Sequence, residues 1–169
     1  QQPPTQRPAP PPISVQNIKG NIFQVKGGAG ANTGFVVSDK EVVVIDAKMT
    51  EESAKQMLSE IRKVTPNQVT TIVLTHSDGD HVNGLIGFPA GLDIVSHDNT
   101  RDHMVKAFTS EEQLAHLPTI TFSERLSLHV GSGKKSTRVD LLHFGPAHTN
   151  GDVVVFFPEE RVAFIGDLM

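Results

Sequence analysis

An α/β sheet with helices packed on one face is the fold class this sequence predicts, and three observations carry it. Short runs rich in β-branched residues open and close the chain. Between them lies one strand–helix–strand–helix passage in which apolar residues recur at helical spacing. Strand-like runs there and afterwards end in His, Asp and Gly, the position where α/β proteins place their chemistry.

The runs ISVQNI, NIFQVK, TGFVVS and EVVVIDA read as strands, broken by Gly20, the GGAGAN loop and Ser38-Asp39-Lys40, and predict an antiparallel start. In TEESAKQMLSEIRKVT the residues Ala54, Met57, Leu58, Ile61 and Val64 keep helical spacing. Thr50 stands at the N-cap of this helix, with acids behind it. Next come the strand TTIVLT, a polar loop, and a helix through Leu85. A strand near LDIVS leads to a helix from Asp98 with Met104, Val105 and Phe108 on one face. The last third returns to strands: ERLSLHV, STRVDLLHF, DVVVFF and RVAFIGD. GSGKK joins the first two of these and reads as a hairpin turn, since a phosphate loop would lead from a strand into a helix.

With 169 residues, 37% hydrophobic and 20% charged, the chain suits one domain with a real core. Net charge is −4 with both signs interspersed, so no basic face points to nucleic acid or an anionic membrane. No apolar run approaches the roughly 18 residues that span a bilayer. Cysteine is absent, which excludes disulfides. Residues 1–12, QQPPTQRPAPPP, hold six of the 11 prolines and read as a disordered tether ahead of a domain over 13–169. The first residue is Gln1 and not Met, which suggests that something precedes it in the natural chain. An exported protein, periplasmic or secreted, with its signal peptide cleaved is the expectation, with a cytoplasmic one the alternative.

Chemistry concentrates in THSDGDHVNG, where His76, Asp78, Asp80 and His81 follow a strand directly. Alternate side chains of an extended backbone share a side, so His76, Asp78 and Asp80 are expected to converge, with Gly79 allowing a tight bend and His81 aimed at a neighbouring point. Imidazole with carboxylate suits zinc, iron or manganese. Two further strand ends carry candidates: His148 in GPAHTNGD and Asp167 in FIGD. Each alone reads equally well as a turn residue, but three strand ends bearing ligands point to one metal pocket. His97, His103, His116, His129 and His143 are scattered and expected to be surface or structural.

In this pattern the sequence resembles the metallo-β-lactamase superfamily, whose signature is His-x-His-x-Asp-His followed by a distant His, an Asp and a last His. The matching residues are His76, Asp80 and His81, then His148, then Asp167; Asp78 stands at the second His of the signature. The strand EVVVIDA adds Asp46, which matches the acid that buttresses the metal loop in that family. The resemblance runs from about Asn17 to the end and implies an αββα sandwich, of which this chain carries the N-terminal βα half and part of the second. The family's last His lies beyond Met169, so a fragment is expected. Loss of the remainder was expected to expose the inner face of the first sheet and favour a homodimer or association with the missing C-terminal segment.

The resemblance further implies two divalent metal ions, zinc first with iron or manganese as alternatives. His76, His148 and Asp78 would hold one, Asp80 and His81 the other, and Asp167 would bridge. It also implies a hydrolase in which a metal-bound hydroxide, oriented by Asp80 as catalytic residue, attacks a lactam, lactone, (thio)ester or phosphoester of small size. His103 and His116 lie where family loops often overhang the site. A flavodiiron-like diiron redox protein and a non-catalytic domain with an incomplete metal site are the competing readings.

Overall fold

The computed structural model describes residues 9–168. Most of the expected tether, 1–8, lies outside the described residues; the Pro11 carbonyl already accepts a hydrogen bond from the Gly28 N–H at 2.7 Å, which ties the chain to the domain from that point.

Four strands pair antiparallel at the start: β1 (Ser14–Lys19), β2 (Ile22–Lys26), β3 (Thr33–Val37) and β4 (Glu41–Ile45). The helix α1 (Glu51–Val64) follows, and the Thr50 side chain accepts from the Ser53 N–H as an N-cap should. It returns the chain to β5 (Gln68–Val73), parallel to β4. A short helix α2 (Gly79–Val82) runs into a tighter 3₁₀ turn over Asn83–Gly87, so the expected single helix is split. Then come β6 (Asp93–His97), α3 (Asp98–Ala107), α4 (Glu111–Leu114) and β7 (Ile120–Phe122), with β5, β6 and β7 parallel. The seven strands form one sheet in chain order. The remaining strands, β8 (Arg125–Val130), β9 (Thr137–Leu142), β10 (Val154–Phe157) and β11 (Val162–Phe164), make a second, antiparallel sheet.

Alternation along β4 separates the two cores. Val42 and Val44 face α1, packing with Ala54, Met57, Ile61, Met104 and Phe108. Val43 and Ile45 face the second sheet and meet Val139, Leu141, Val155 and Phe157. Phe157 is fully buried there, and truncating it to Ala would cost about 3–5 kcal/mol through lost transfer energy and a residual cavity. This second core corrects one expectation: the inner face of the first sheet is not left wet, because β8–β11 fold back over it. The helical face is also narrower than expected. Met104 and Phe108 are buried, but Val105 is 43% exposed, since a residue one step along a helix points about 100° away. Val64 is 40% exposed for a different reason: it shares the face of Met57 and Ile61 but is the last residue of α1.

Candidate metal centre

The centre forms where β4, β5 and β11 end. Past β4 the backbone enters the left-handed region at Asp46, φ 61°, a conformation that Asp tolerates better than most residues. This turns the Asp46 carboxylate inward, where it is 2% exposed. It accepts three hydrogen bonds, each 2.8 Å: from the Thr75 N–H, the Thr75 hydroxyl and His81 Nδ1. Thr75 directly follows the apolar run of β5, and its hydroxyl proton goes to Asp46, so its oxygen accepts from His76 Nδ1 at 3.0 Å. A carboxylate can only accept, so this chain of bonds puts the proton of each imidazole on Nδ1. Both Nε2 atoms are left as bare lone pairs. They are buried and have no hydrogen-bond partner among the described residues.

Around those two atoms the other expected residues assemble. Asp78 Oδ2 lies 3.0 Å from His148 Nε2 and 4.0 Å from His76 Nε2. Asp167 Oδ1 lies 3.3 Å from His81 Nε2, and Asp80 Oδ2 lies 3.6 Å from it. Two trios can hold a cation, His76 with Asp78 and His148, and His76 with His81 and Asp167; within each, the ligand atoms lie within 4.8 Å of one another. Tetrahedral ligands at ~2.1 Å from an ion sit about 3.4 Å apart, which the measured separations bracket. A buried lone pair costs stability unless something meets it, so two of them converging on carboxylates fit a metal ion.

One expectation about the loop is corrected. His76, Asp78 and Asp80 do not converge on a single point, because strand alternation ends at Asp78, the last extended residue before α2 begins at Gly79. Asp80 therefore turns toward His81. Of the scattered histidines, His116 sits with its two nitrogens 2.8 and 3.2 Å from the Glu112 and Phe88 carbonyls, and His97 caps α3. His143 faces the Asp152 carbonyl, and His129 is exposed on β8. Only His103 approaches the metal loop, 3.1 Å from the Ser77 hydroxyl.

The remaining candidate ligands are positioned by contacts to their loop backbone. Thr100 donates to the Gly151 carbonyl and Asn99 to that of Asn150, pinning the His148 loop to the start of α3. Gly166 at φ 55° lets β11 turn so close that an added Cβ would lie 2.8 Å from the Thr75 hydroxyl and 3.2 Å from His76 Nδ1. Beside the ligands opens a cleft of about 460 Å³ lined by Asn32, Asp80, His81, Phe164 and Asp167. Burial, then repulsion by His81, lowers the His76 pKa. Burial also pushes His81 down, but the Asp46 hydrogen bond and the charges of Asp46, Asp80 and Asp167 outweigh it and leave the pKa raised. Thr75 escapes a reading of the sequence, and Gly166 shows there only as the residue before Asp167, without its contact to Thr75. A Thr closing an apolar strand and a Gly before an Asp carry no periodic signal.

The family model described as Metallo-beta-lactamase superfamily matches residues 27–169. The chain belongs to that superfamily. Among curated members, it is 29% identical over 160 residues to the metallo-beta-lactamase type 2 of Elizabethkingia meningoseptica, covering 90% of this chain and 60% of the relative. It is 26% identical over 160 residues to the 2,4-dinitroanisole O-demethylase subunit alpha of Nocardioides sp. (strain JS1661), covering 93% of this chain and 46% of that protein. The chain thus spans about half to three-fifths of the length of these relatives. A metallo-beta-lactamase from Pontibacter korlensis superposes with a TM-score of 0.72 at 19% identity, over 91% of this chain and 71% of that one. Its mixed α/β fold is that of metallo-β-lactamase structures.

Proposed function

We propose that these residues form the two-cation centre of a hydrolase. The observation that carries this reading is the pair of buried, partnerless Nε2 lone pairs on His76 and His81, each with its Nδ1 proton committed elsewhere. In this reading His76, Asp78 and His148 would hold one cation and Asp80 and His81 a second, with Asp167 available to both. Divalent cations there would lower the pKa of a water enough to supply hydroxide near neutral pH and would polarise the bond under attack.

The chain's own residues do the rest. Asp46 and Thr75 lock both imidazoles in the metal-binding tautomer. The half-exposed Asp80 carboxylate, facing the cleft, accepts a proton of the attacking water and fixes its direction. The cleft admits a small molecule with a lactam, lactone, (thio)ester or phosphoester bond. Zinc is the first candidate. The carboxylates of Asp78 and Asp167 harden the site enough to suit iron or manganese too, which keeps a diiron redox role as the second reading. A periplasmic or secreted location, resting on the proline-rich opening, belongs to the same proposal.

The test is elemental analysis of the intact protein followed by a substrate survey. Zinc at two equivalents, with hydrolysis that chelator abolishes and added metal restores, is expected. Iron with oxygen- or electron-dependent turnover would favour the redox reading. Absence of bound cation, or hydrolysis indifferent to chelator, would overturn both.

A further inference from the structure

Lys48 is a buried cation with no part in the ligand set. Its residue is 0% exposed, and its backbone sits at φ 71°, in the left-handed region that side chains rarely adopt. A strained, desolvated lysine persists only where its surroundings hold it there. Its ammonium donates to the Gly27 carbonyl at 2.9 Å and to the Ala31 carbonyl at 2.7 Å, the two ends of the Gly-rich loop between β2 and β3. Its own carbonyl accepts from the Gly84 N–H, just past α2.

That loop has little conformational preference of its own, since Gly27, Gly28 and Gly30 all lie at positive φ. Yet it touches the metal centre at one point: the Ala31 N–H donates to the Asp80 carbonyl at 3.2 Å. The approach is close enough that a Cβ on Gly30 would lie 2.6 Å from that same carbonyl oxygen. Ala31 and Asn32 then form one wall of the cleft beside Asp80.

We infer that Lys48 is a positioning residue for Asp80: its ammonium clamps the Gly27–Asn32 loop so that the Ala31 amide holds the Asp80 backbone and aims its carboxylate at the His81 side of the centre. The inference rests on the two-cation reading for its functional consequence, but the clamp itself does not need a cation. It also predicts asymmetry. His76, Asp78 and His148 have no bond to this loop, so the cation they hold should not register the change.

The experiment compares the intact wild-type protein with Lys48→Met, which keeps the stem and deletes the donors. Hydrogen exchange in excess chelator should show the Ala31 amide losing protection by roughly tenfold or more in the variant. Zinc titration against a chromophoric competitor should show the weaker of two binding events loosened by about tenfold, the low end of the usual loss on removing an outer-shell partner, and the tighter one unchanged. Gly30→Ala, whose Cβ would come within 2.5 Å of the Met49 amide nitrogen and 2.6 Å of the Asp80 carbonyl, pushes the loop off both while leaving the Lys48 ammonium in place. It should reproduce both effects and decides the matter if Lys48→Met does not fold. Unchanged Ala31 protection, or equal loosening of both events, would overturn the inference. A wild-type protein that binds no zinc would instead sink the two-cation reading, while the exchange measurement still decides whether Lys48 clamps the loop.

Discussion

Replacing Asp46 by Asn should weaken cation binding at the candidate centre without unfolding the protein. The substitution keeps the size of the side chain, and Asn tolerates the left-handed backbone at this position as well as Asp does. What changes is the direction of the hydrogen bonds. The Thr75 N–H can only donate, so the amide oxygen must take the Oδ1 place, 2.8 Å away, and the NH₂ group must take the Oδ2 place. There it faces His81 Nδ1 and the Thr75 hydroxyl, both at 2.8 Å. The NH₂ group donates to both. His81 must then carry its proton on Nε2, aimed into the centre. The Thr75 hydroxyl, now an acceptor from Asn, is free to donate to His76 Nδ1 at 3.0 Å, which moves that ring's proton to Nε2 as well. A cation can bind only after each ring's proton returns to Nδ1. At His81 that proton then opposes the Asn N–H. At His76 the Thr75 oxygen accepts from both neighbours and its own hydroxyl proton loses its partner, at about 1–3 kcal/mol for each buried defect. The expected loss is therefore roughly 10–100-fold in affinity for each cation, since about 1.4 kcal/mol is tenfold. Because the bonds of the folded protein are re-formed rather than lost, metal-free stability should fall by no more than about 2 kcal/mol. Zinc titration against a competing chelator gives the affinities, thermal melting in chelator gives the stability, and nitrogen NMR of the imidazoles reads the tautomers directly. An Asp46→Asn protein that binds zinc within about twofold of wild type would refute the tautomer argument, whatever its stability.

Other consequences can be checked with less effort. Asp78→Ala should weaken the cation at His76 and His148, while Asp78→His should raise preference for zinc over manganese; unchanged stoichiometry and affinity in the Ala variant would remove Asp78 from the ligand set. Asp80→Asn should remove most hydrolysis yet leave the melting temperature nearly unchanged, which separates a role in turnover from one in folding. Gly166→Ala puts a Cβ 2.8 Å from the Thr75 hydroxyl in a left-handed backbone and should displace Asp167, lowering both metal affinity and stability, the latter by about 1–3 kcal/mol. Burial lowers the Lys48 pKa from 10.5 to about 8, partly offset by Asp46. Between these values the unfolded chain binds the extra proton, so metal-free stability should rise with pH from about 8 to 10.5 relative to Lys48→Met, and a flat difference would show that the buried amine keeps its ordinary affinity.

Much of this centre was written in local sequence. His76, Asp78, Asp80 and His81 could be picked out because ligands crowd one loop after an apolar strand, and His148 and Asp167 because each follows another strand end. Six strands of the first sheet and α1 were legible too, since periods of 2 and 3.6 are properties of neighbouring residues, whereas the three-residue β7 was too short to show a period. Local pattern could not say how the pieces divide between sites. Alternation grouped Asp80 with His76, but the turn into α2 sends it to His81. Nor could it show that β8–β11 cover the first sheet, because hydrophobic alternation gives a buried face without naming what buries it. Asp46 was visible only by resemblance, Gly166 only as the residue before Asp167, and Thr75 and Lys48 not at all. They lie 29, 91 and 32 positions from a partner whose proton, approach or carbonyl they govern — Thr75 from Asp46, Gly166 from Thr75, Lys48 from Asp80 — and such bonds exist only once the chain has folded. Residue types and their spacing along the chain already say which side chains can bind a cation. Tertiary structure decided which nitrogen of each imidazole is bare, because a tautomer is set by the partner on the other side of the ring.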